Sequence, residues 1–131
     1  MRRTKLCFWT RLALFALLLA GCQPGSEGAV AAIEHYLAAR VDKDVDAMTR
    51  LACPAWEGQA RIEALTFEAM EARLDGVSCT AAGPDGDYEL VACTGQIVTT
   101  YQGETREWSV SEHPYRALLD GGEWLMCGYG E

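Results

Sequence analysis

The sequence predicts an α+β domain in which three N-terminal helices pack on a curved, four-stranded antiparallel meander. Hydrophobic residues recur every three or four positions between residues 26 and 73, which is the period of amphipathic helices. After Leu74 the hydrophobic period changes to two, and turn residues separate the runs, which indicates strands joined by hairpins. Because helices and strands are segregated along the chain, we expect the helices to cover one face of the sheet.

Three helices are predicted, and turn or capping residues separate them. The first covers residues 26–41 and ends where the sequence Asp-Lys-Asp interrupts its apolar stripe. Asp44 is expected to cap the second helix, residues 45–52, which Pro54 ends. The third covers residues 57–73. One stripe of its buried surface is expected to carry Ile62, Leu65, Ala69 and Ala72.

Four strands are predicted, at residues 76–82, 88–101, 105–120 and 124–129. The first two flank the turn sequence Gly-Pro-Asp-Gly-Asp, so they should form a hairpin. Within the third strand the alternation of apolar residues shifts by one position near residues 111–114. A β-bulge would absorb this extra residue, and proline is tolerated at such a place.

The first 21 residues have the layout of a bacterial secretion signal, with basic residues, an apolar run and small residues before Cys22. The sequence LLAGC resembles the lipobox of bacterial lipoproteins, which implies cleavage after Gly21 and a diacylglycerol on Cys22. We therefore assign residues 1–21 to a lipoprotein signal peptide, residues 22–27 to the lipidated cysteine and a short tether, and residues 28–131 to the folded domain.

Charge excludes nucleic acid as a partner. The signal contains four of the 11 basic residues and none of the 19 acidic ones, so residues 22–131 carry 7 − 19 = −12. Proteins bind phosphate backbones through Lys and Arg, and this domain lacks the necessary excess. The same charge opposes docking of the domain on anionic lipid, so any contact with the membrane is expected to come from the N-terminal lipid.

Four cysteines remain after Cys7 is removed with the signal and Cys22 is acylated. In an oxidising compartment they are expected to form two disulfides, for which three connectivities exist. A metal site is disfavoured because no C-x-x-C pair occurs. Cys79 and Cys93 are equidistant from the turn at residue 86 and should face each other, while a strand would separate Cys93 from Cys127. The predicted pairs are Cys79 with Cys93 and Cys53 with Cys127.

The sequences AAIEHYLAARVDKDVDAMTRLACP and DGGEWLMCGYG, with the order of elements, resemble small bacterial lipoproteins of the nuclear transport factor 2-like superfamily. The resemblance covers about residues 28–129 and extends to the ketosteroid isomerase-like, cystatin-like members. It implies a cone of helices and sheet around an apolar pocket, and an open sheet face that often forms a homodimer. Many members are enzymes, and many have no known activity.

No catalytic residue is assigned, because the sequence contains no motif that anchors the superfamily's carboxylates. His35, on the flank of the first helix, is expected at the surface, and His113 is expected to have a structural role beside Pro114. No metal site and no cofactor are expected. The aromatic residues expected to line the pocket are Trp108, Tyr101 and Tyr36.

These features predict a lipid-anchored, extracytoplasmic domain of the bacterial cell envelope that binds a small apolar ligand or an envelope protein. The alternative is an isomerase- or dehydratase-like enzyme that uses the cone pocket. A third role, through a homodimer or another structural contact, would need no pocket.

The predicted anchor is tested by replacing Cys22 with Ser. The wild-type protein should partition into detergent, because two acyl chains hold a protein stably at a membrane. Cys22→Ser should abolish this partitioning and leave an uncleaved or a soluble form. Unchanged partitioning of the variant would show that Cys22 is not the lipid site.

Overall fold

The computed structural model describes residues 25–131, in which a helical region precedes a five-stranded antiparallel sheet. The signal peptide, Cys22 and the first half of the tether lie outside these residues. The helices are α1 (Ser26–Val41), α2 (Val45–Arg50), a 3-10 turn (Pro54–Trp56) and α3 (Glu57–Leu65). The strands are β1 (Glu71–Asp85), β2 (Tyr88–Tyr101), β3 (Glu104–Ser109), β4 (Tyr115–Asp120) and β5 (Glu123–Tyr129). None of the described helices has the length and hydropathy of a membrane-spanning helix.

The predicted architecture, three helices on a four-stranded meander, is wrong, because the sheet has five strands. Its order is β1-β2-β4-β5, and β3 also pairs with β2. Since β1 pairs along the length of β2, both β3 and β4 lie on the opposite edge, at residues 96–101 and 88–91 of β2. The predicted single strand 105–120 is therefore two strands with a break at residues 110–114. Pro114 has no N–H to continue the ladder.

The predicted third helix is also too long. The structure ends α3 at Leu65 and begins β1 at Glu71. The buried residues of α3 are Ala60, Glu63 and Ala64. Ile62 and Leu65, which were expected on the buried stripe, are 61% and 52% exposed. The buried face of α3 is thus formed by small side chains, which allow close packing of helices, and by one acidic residue that finds partners in the core.

The first two helices begin where predicted, but α2 ends at Arg50, two residues before the predicted end at 52. The bounds of α1 coincide with the predicted 26–41, and it buries Ile33, Tyr36 and Leu37 completely. The Asp44 side chain caps α2 by accepting a hydrogen bond of 2.9 Å from the backbone N–H of Ala47. Across the core lie the buried sheet residues Val91, Ile97, Thr99 and Met126.

β2 changes its pairing partner beside Gly95. This glycine has φ +98°, and a side chain there would place Cβ 2.5 Å from the carbonyl oxygen of Gly76. The close approach coincides with a register shift of β1 between Asp75 and Ser78. On the other edge, the Gly95 carbonyl accepts a hydrogen bond of 3.2 Å from Val110, the first residue after β3. Glycine is required because no larger residue fits between the strands.

Both predicted disulfides are present. Cys79 and Cys93 are directly opposite in the β1–β2 register, with 4.0 Å between their Cα atoms, and Cys53 and Cys127 are 5.3 Å apart. The backbone N–H of Cys53 donates to the carbonyl of Met126 at 2.9 Å, so Cys53 lies beside β5 rather than beneath it. This placement lets Cys53 meet Cys127 although Met126 faces the core. Two disulfides indicate an oxidising, extracytoplasmic environment.

Removing the two disulfides separately should have different costs. The Cys53–Cys127 bond spans 74 residues, and loop entropy predicts that replacing both cysteines with Ala lowers the free energy of unfolding by about 4 kcal/mol. The Cys79–Cys93 bond spans 14, and the same model predicts about 3 kcal/mol. Urea unfolding of the two double variants measures both values. No loss in the first variant, or a peptide map joining Cys53 to Cys79, would contradict the assignment.

Candidate functional site

A cavity of about 250 Å³ opens where β3 and β4 separate. Its wall includes Arg40 from α1, Trp108 from β3, Tyr115 from β4 and Tyr129 from β5. Ile97 of β2 and Val110, both buried, add aliphatic surface. The break in the predicted third strand is therefore what gives the cavity its opening.

The aromatic rings of Trp108, Tyr115 and Tyr129 form one part of the cavity wall, and neighbouring groups hold them in place. The indole N–H of Trp108 donates a hydrogen bond of 2.9 Å to the hydroxyl of Thr99. The same indole meets the edge of Phe67, with 5.8 Å between ring centroids. The rings of Tyr115 and Tyr129 are 5.2 Å apart. Fixed rings of this kind offer a preformed apolar surface to a ligand.

Arg40 supplies a positive charge to this wall. Its guanidinium lies over the Phe67 ring, 5.3 Å from the centroid, in a cation–π contact. Its Nε is buried and has no hydrogen-bond partner among residues 25–131. The salt bridges within this part of the chain involve Arg73 and Arg116 instead. No carboxylate of the described residues therefore compensates the charge of Arg40 at the cavity.

A buried carboxylate lies behind the wall. Glu63 of α3 is 5% exposed, and its Oε2 accepts a hydrogen bond of 2.8 Å from the Tyr36 hydroxyl. Its Oε1 accepts one of 2.9 Å from the hydroxyl of Tyr129, which lines the cavity. Hydrogen bonds to an ionised acceptor are stronger than neutral ones, and two of them compensate for burial of the charge. Tyr129 thus separates Glu63 from the cavity.

The tyrosine hydroxyls around the cavity are held in their protonated form. Burial raises the pKa of Tyr115 to about 12. Burial, followed by the negative charge of Glu63, also raises the pKa of Tyr36 and Tyr129 above the usual value. A hydroxyl with a raised pKa keeps its proton at neutral pH. These groups therefore act as hydrogen-bond donors and do not act as bases.

One of the three aromatics predicted to line a pocket borders this cavity. Trp108 lines it, although the side chain is 40% exposed instead of covered by the helices. Tyr36 is completely buried in the core, where its hydroxyl binds Glu63. Tyr101 is 48% exposed and borders two other depressions near the β2–β3 turn. The predicted and observed linings differ because the cavity lies at the break between β3 and β4 and not in the interior of a cone.

The two histidines occupy different positions. His113 lies in the break and borders the cavity next to Glu112, with its side chain exposed. His35 is exposed on α1, as the helical spacing predicts, and is not part of the lining. In the described part of the chain, no three His, Cys, Asp or Glu side chains are grouped as metal ligands.

Sequence reasoning missed Arg40, Glu63 and Tyr129. A signal for the first is its helical spacing, since it follows the buried Tyr36 by four positions and shares its face of α1. A signal for the second is that Glu63 follows Ala60 by three positions, on a stripe of small residues. Charged side chains at such positions are ordinarily interpreted as solvent-exposed, so the sequence alone does not single out Arg40 or Glu63.

Comparisons with known proteins identify a similar fold. No protein-family model matches the chain, and no curated protein matches it. Among solved structures, it is similar to the solution structure of a SEC-C motif containing protein from Rhodopseudomonas palustris, with a TM-score of 0.52 and 16% identity. The likeness covers 81% of this chain and 80% of the other. At this identity it shows a likeness of fold alone.

Replacing Glu63 tests the buried network. Glu63→Ala should lower the free energy of unfolding by about 2 to 5 kcal/mol, because two buried hydroxyls lose their acceptor. Glu63→Gln should cost about 1 to 2 kcal/mol, since an amide can bond both hydroxyls but carries no charge. Glu34→Ala, at an exposed position of α1, is the control and should stay within about 0.5 kcal/mol. Equal effects of Glu63→Ala and Glu34→Ala in urea unfolding would rule out the network's role.

Proposed function

We propose that this protein is a lipid-anchored binding protein of the bacterial cell envelope, and that it takes a small, largely apolar ligand into the cavity between β3 and β4. The observation that carries the proposal is the aromatic wall formed by Trp108, Tyr115 and Tyr129. Ligand sites in proteins are typically concave and apolar, with a few placed polar groups. Arg40 is such a group here.

The location of the protein is supported by two independent features. The disulfides favour a compartment outside the cytoplasm. The sequence LLAGC favours attachment through Cys22. Attachment by a lipid would hold the acidic domain near the membrane without requiring the domain itself to bind anionic lipid. Membership of the nuclear transport factor 2-like superfamily stays a prediction, and the proposed function does not depend on it.

An enzymatic role is the alternative, and Glu63 is the observation that favours it. General-base catalysis requires a base within hydrogen-bonding reach of the substrate. Both oxygens of Glu63 are bonded to tyrosines, and Tyr129 separates the carboxylate from the cavity. Binding is the better-supported function because Glu63 does not reach the cavity, and the two other candidate bases, Glu112 and His113, lie at its rim, exposed to water, while a guanidinium and aromatic rings form the wall. An envelope protein as ligand would need a larger apolar surface than this cavity offers.

Binding is tested with the neutral dye N-phenyl-1-naphthylamine, which fluoresces in apolar surroundings. The protein is the mature chain carrying Cys22→Ser, here called the unlipidated protein, so that neither lipid nor detergent takes up dye. We expect saturable binding at one site. Ser109→Phe should weaken it by about tenfold or more, because Ser109 lines the cavity and a ring there would occupy the ligand's space.

The matched control is Ser78→Phe, at an exposed position of β1 away from the cavity. It should bind the dye like the parent protein, and circular dichroism should show both variants folded. Absence of saturable binding, or equal binding by the two variants, would refute the proposed function.

A further inference from the structure

We propose that the ligand is a small organic acid whose carboxylate binds the guanidinium of Arg40 while its apolar body lies against Trp108 and the tyrosine rings. This inference rests on the proposed function, because it names the class of ligand that the same cavity takes. It depends on four observations. Arg40 has no salt bridge in the described residues, and the ring of Phe67 lies under its guanidinium. Aromatic rings line the cavity, and the cavity is small.

The missing ion pair of Arg40 is the first of these observations. The described residues include all 19 acidic residues, yet none of them forms a salt bridge with Arg40, which lines the cavity. The charge of Arg40 is therefore not compensated by a carboxylate of the described residues, so an anionic ligand would gain affinity there. A guanidinium presents parallel N–H groups that match a carboxylate in two hydrogen bonds.

The guanidinium is held in place before any ligand arrives. Phe67 lies beneath it at 5.3 Å, and Phe67 also contacts Trp108 at 5.8 Å between centroids. One buried ring thus supports both the cation and the aromatic wall. Arg40 lines the same cavity as Tyr115 and Tyr129, and its positive charge lowers the pKa of both tyrosines, although burial raises it more. A preorganised site of this kind avoids the entropy cost of ordering on binding.

The acidic groups near the cavity limit which acids fit. Glu63 lies behind Tyr129, with both oxygens already hydrogen-bonded. Glu112 borders the cavity, is exposed to water and would repel an anion, although solvent screens the repulsion. His113, at the same rim, is the remaining titratable neighbour besides the tyrosines. A ligand with one negative charge and an apolar body is therefore favoured over one with several charges.

The size and shape of the cavity indicate a flat ligand of one or two rings. Its volume of about 250 Å³ is below the range of about 300 to 1,000 Å³ that drug-sized ligands occupy. Rings prefer edge or offset contacts with other rings, and Trp108 and Tyr129 provide both kinds of surface. An aromatic carboxylic acid meets these requirements together.

The experiment compares 2-naphthoate with 2-naphthamide, which has nearly the same shape but no charge. Calorimetry on the unlipidated protein should show that naphthoate binds about tenfold tighter or better, as expected for hydrogen bonds to a charged group. Arg40→Gln should abolish this preference, so that the two probes bind with equal affinity. Arg61→Gln, on an exposed position of α3 outside the cavity, is the control and should keep the preference.

A second variant keeps the test decisive if Arg40→Gln fails to fold. Glu112→Gln removes the negative charge at the rim and should strengthen binding of naphthoate by about twofold to fivefold, with no change for naphthamide. Equal affinities for the two probes, or binding of the neutral dye without binding of naphthoate, would overturn this inference while leaving the proposed function standing. Failure of the dye and both probes to bind would overturn the proposed function as well.

Discussion

A single buried carboxylate relates the helices of this domain to its sheet. Glu63 on α3 accepts one hydrogen bond from Tyr36 on α1 and another from Tyr129 on β5. The charge tolerates burial only while both donors remain in reach, because an unpaired ion in the core is strongly destabilising. This requirement fixes where α1 and β5 lie. Arg40, one turn beyond Tyr36, and the ring of Tyr129 consequently meet on the wall of one cavity.

The opening of that cavity has a separate origin in the sheet. β2 pairs with β4 at one end and with β3 at the other, and Gly95 lies where the partner changes. After Val110 the chain leaves the ladder at residues 111–114, and Glu112 and His113 of this segment border the cavity. A continuous strand there would have covered the space. Glu63 therefore positions Arg40 and Tyr129 on the cavity wall, and the interruption of the sheet opens the cavity to solvent.

Local patterns predicted much of this fold and little of its site. The period of α1, the turn at residues 83–87 and the Cys79–Cys93 register are local properties, and the sequence is sufficient for them. On α3 the face with Ile62 and Leu65 is exposed and the face with Glu63 is buried, because Glu63 finds tyrosine partners far away in sequence. The shift in the alternation of apolar residues near residue 111 is visible in the sequence. That it breaks the strand depends on how β2 pairs with β3 and β4. Arg40 resembles an ordinary cation at a helix C-terminus.

The nested arrangement of the disulfides has a consequence for how the protein matures. Cys53 leaves the membrane before Cys79, but its native partner, Cys127, emerges 74 residues after it. An oxidant that joins cysteines in their order of emergence would first make the non-native Cys53–Cys79 bond. Conversion to the native pairs then proceeds through attack of a free thiolate on that bond. With such an oxidant, the domain would reach its native pairs only through disulfide isomerisation.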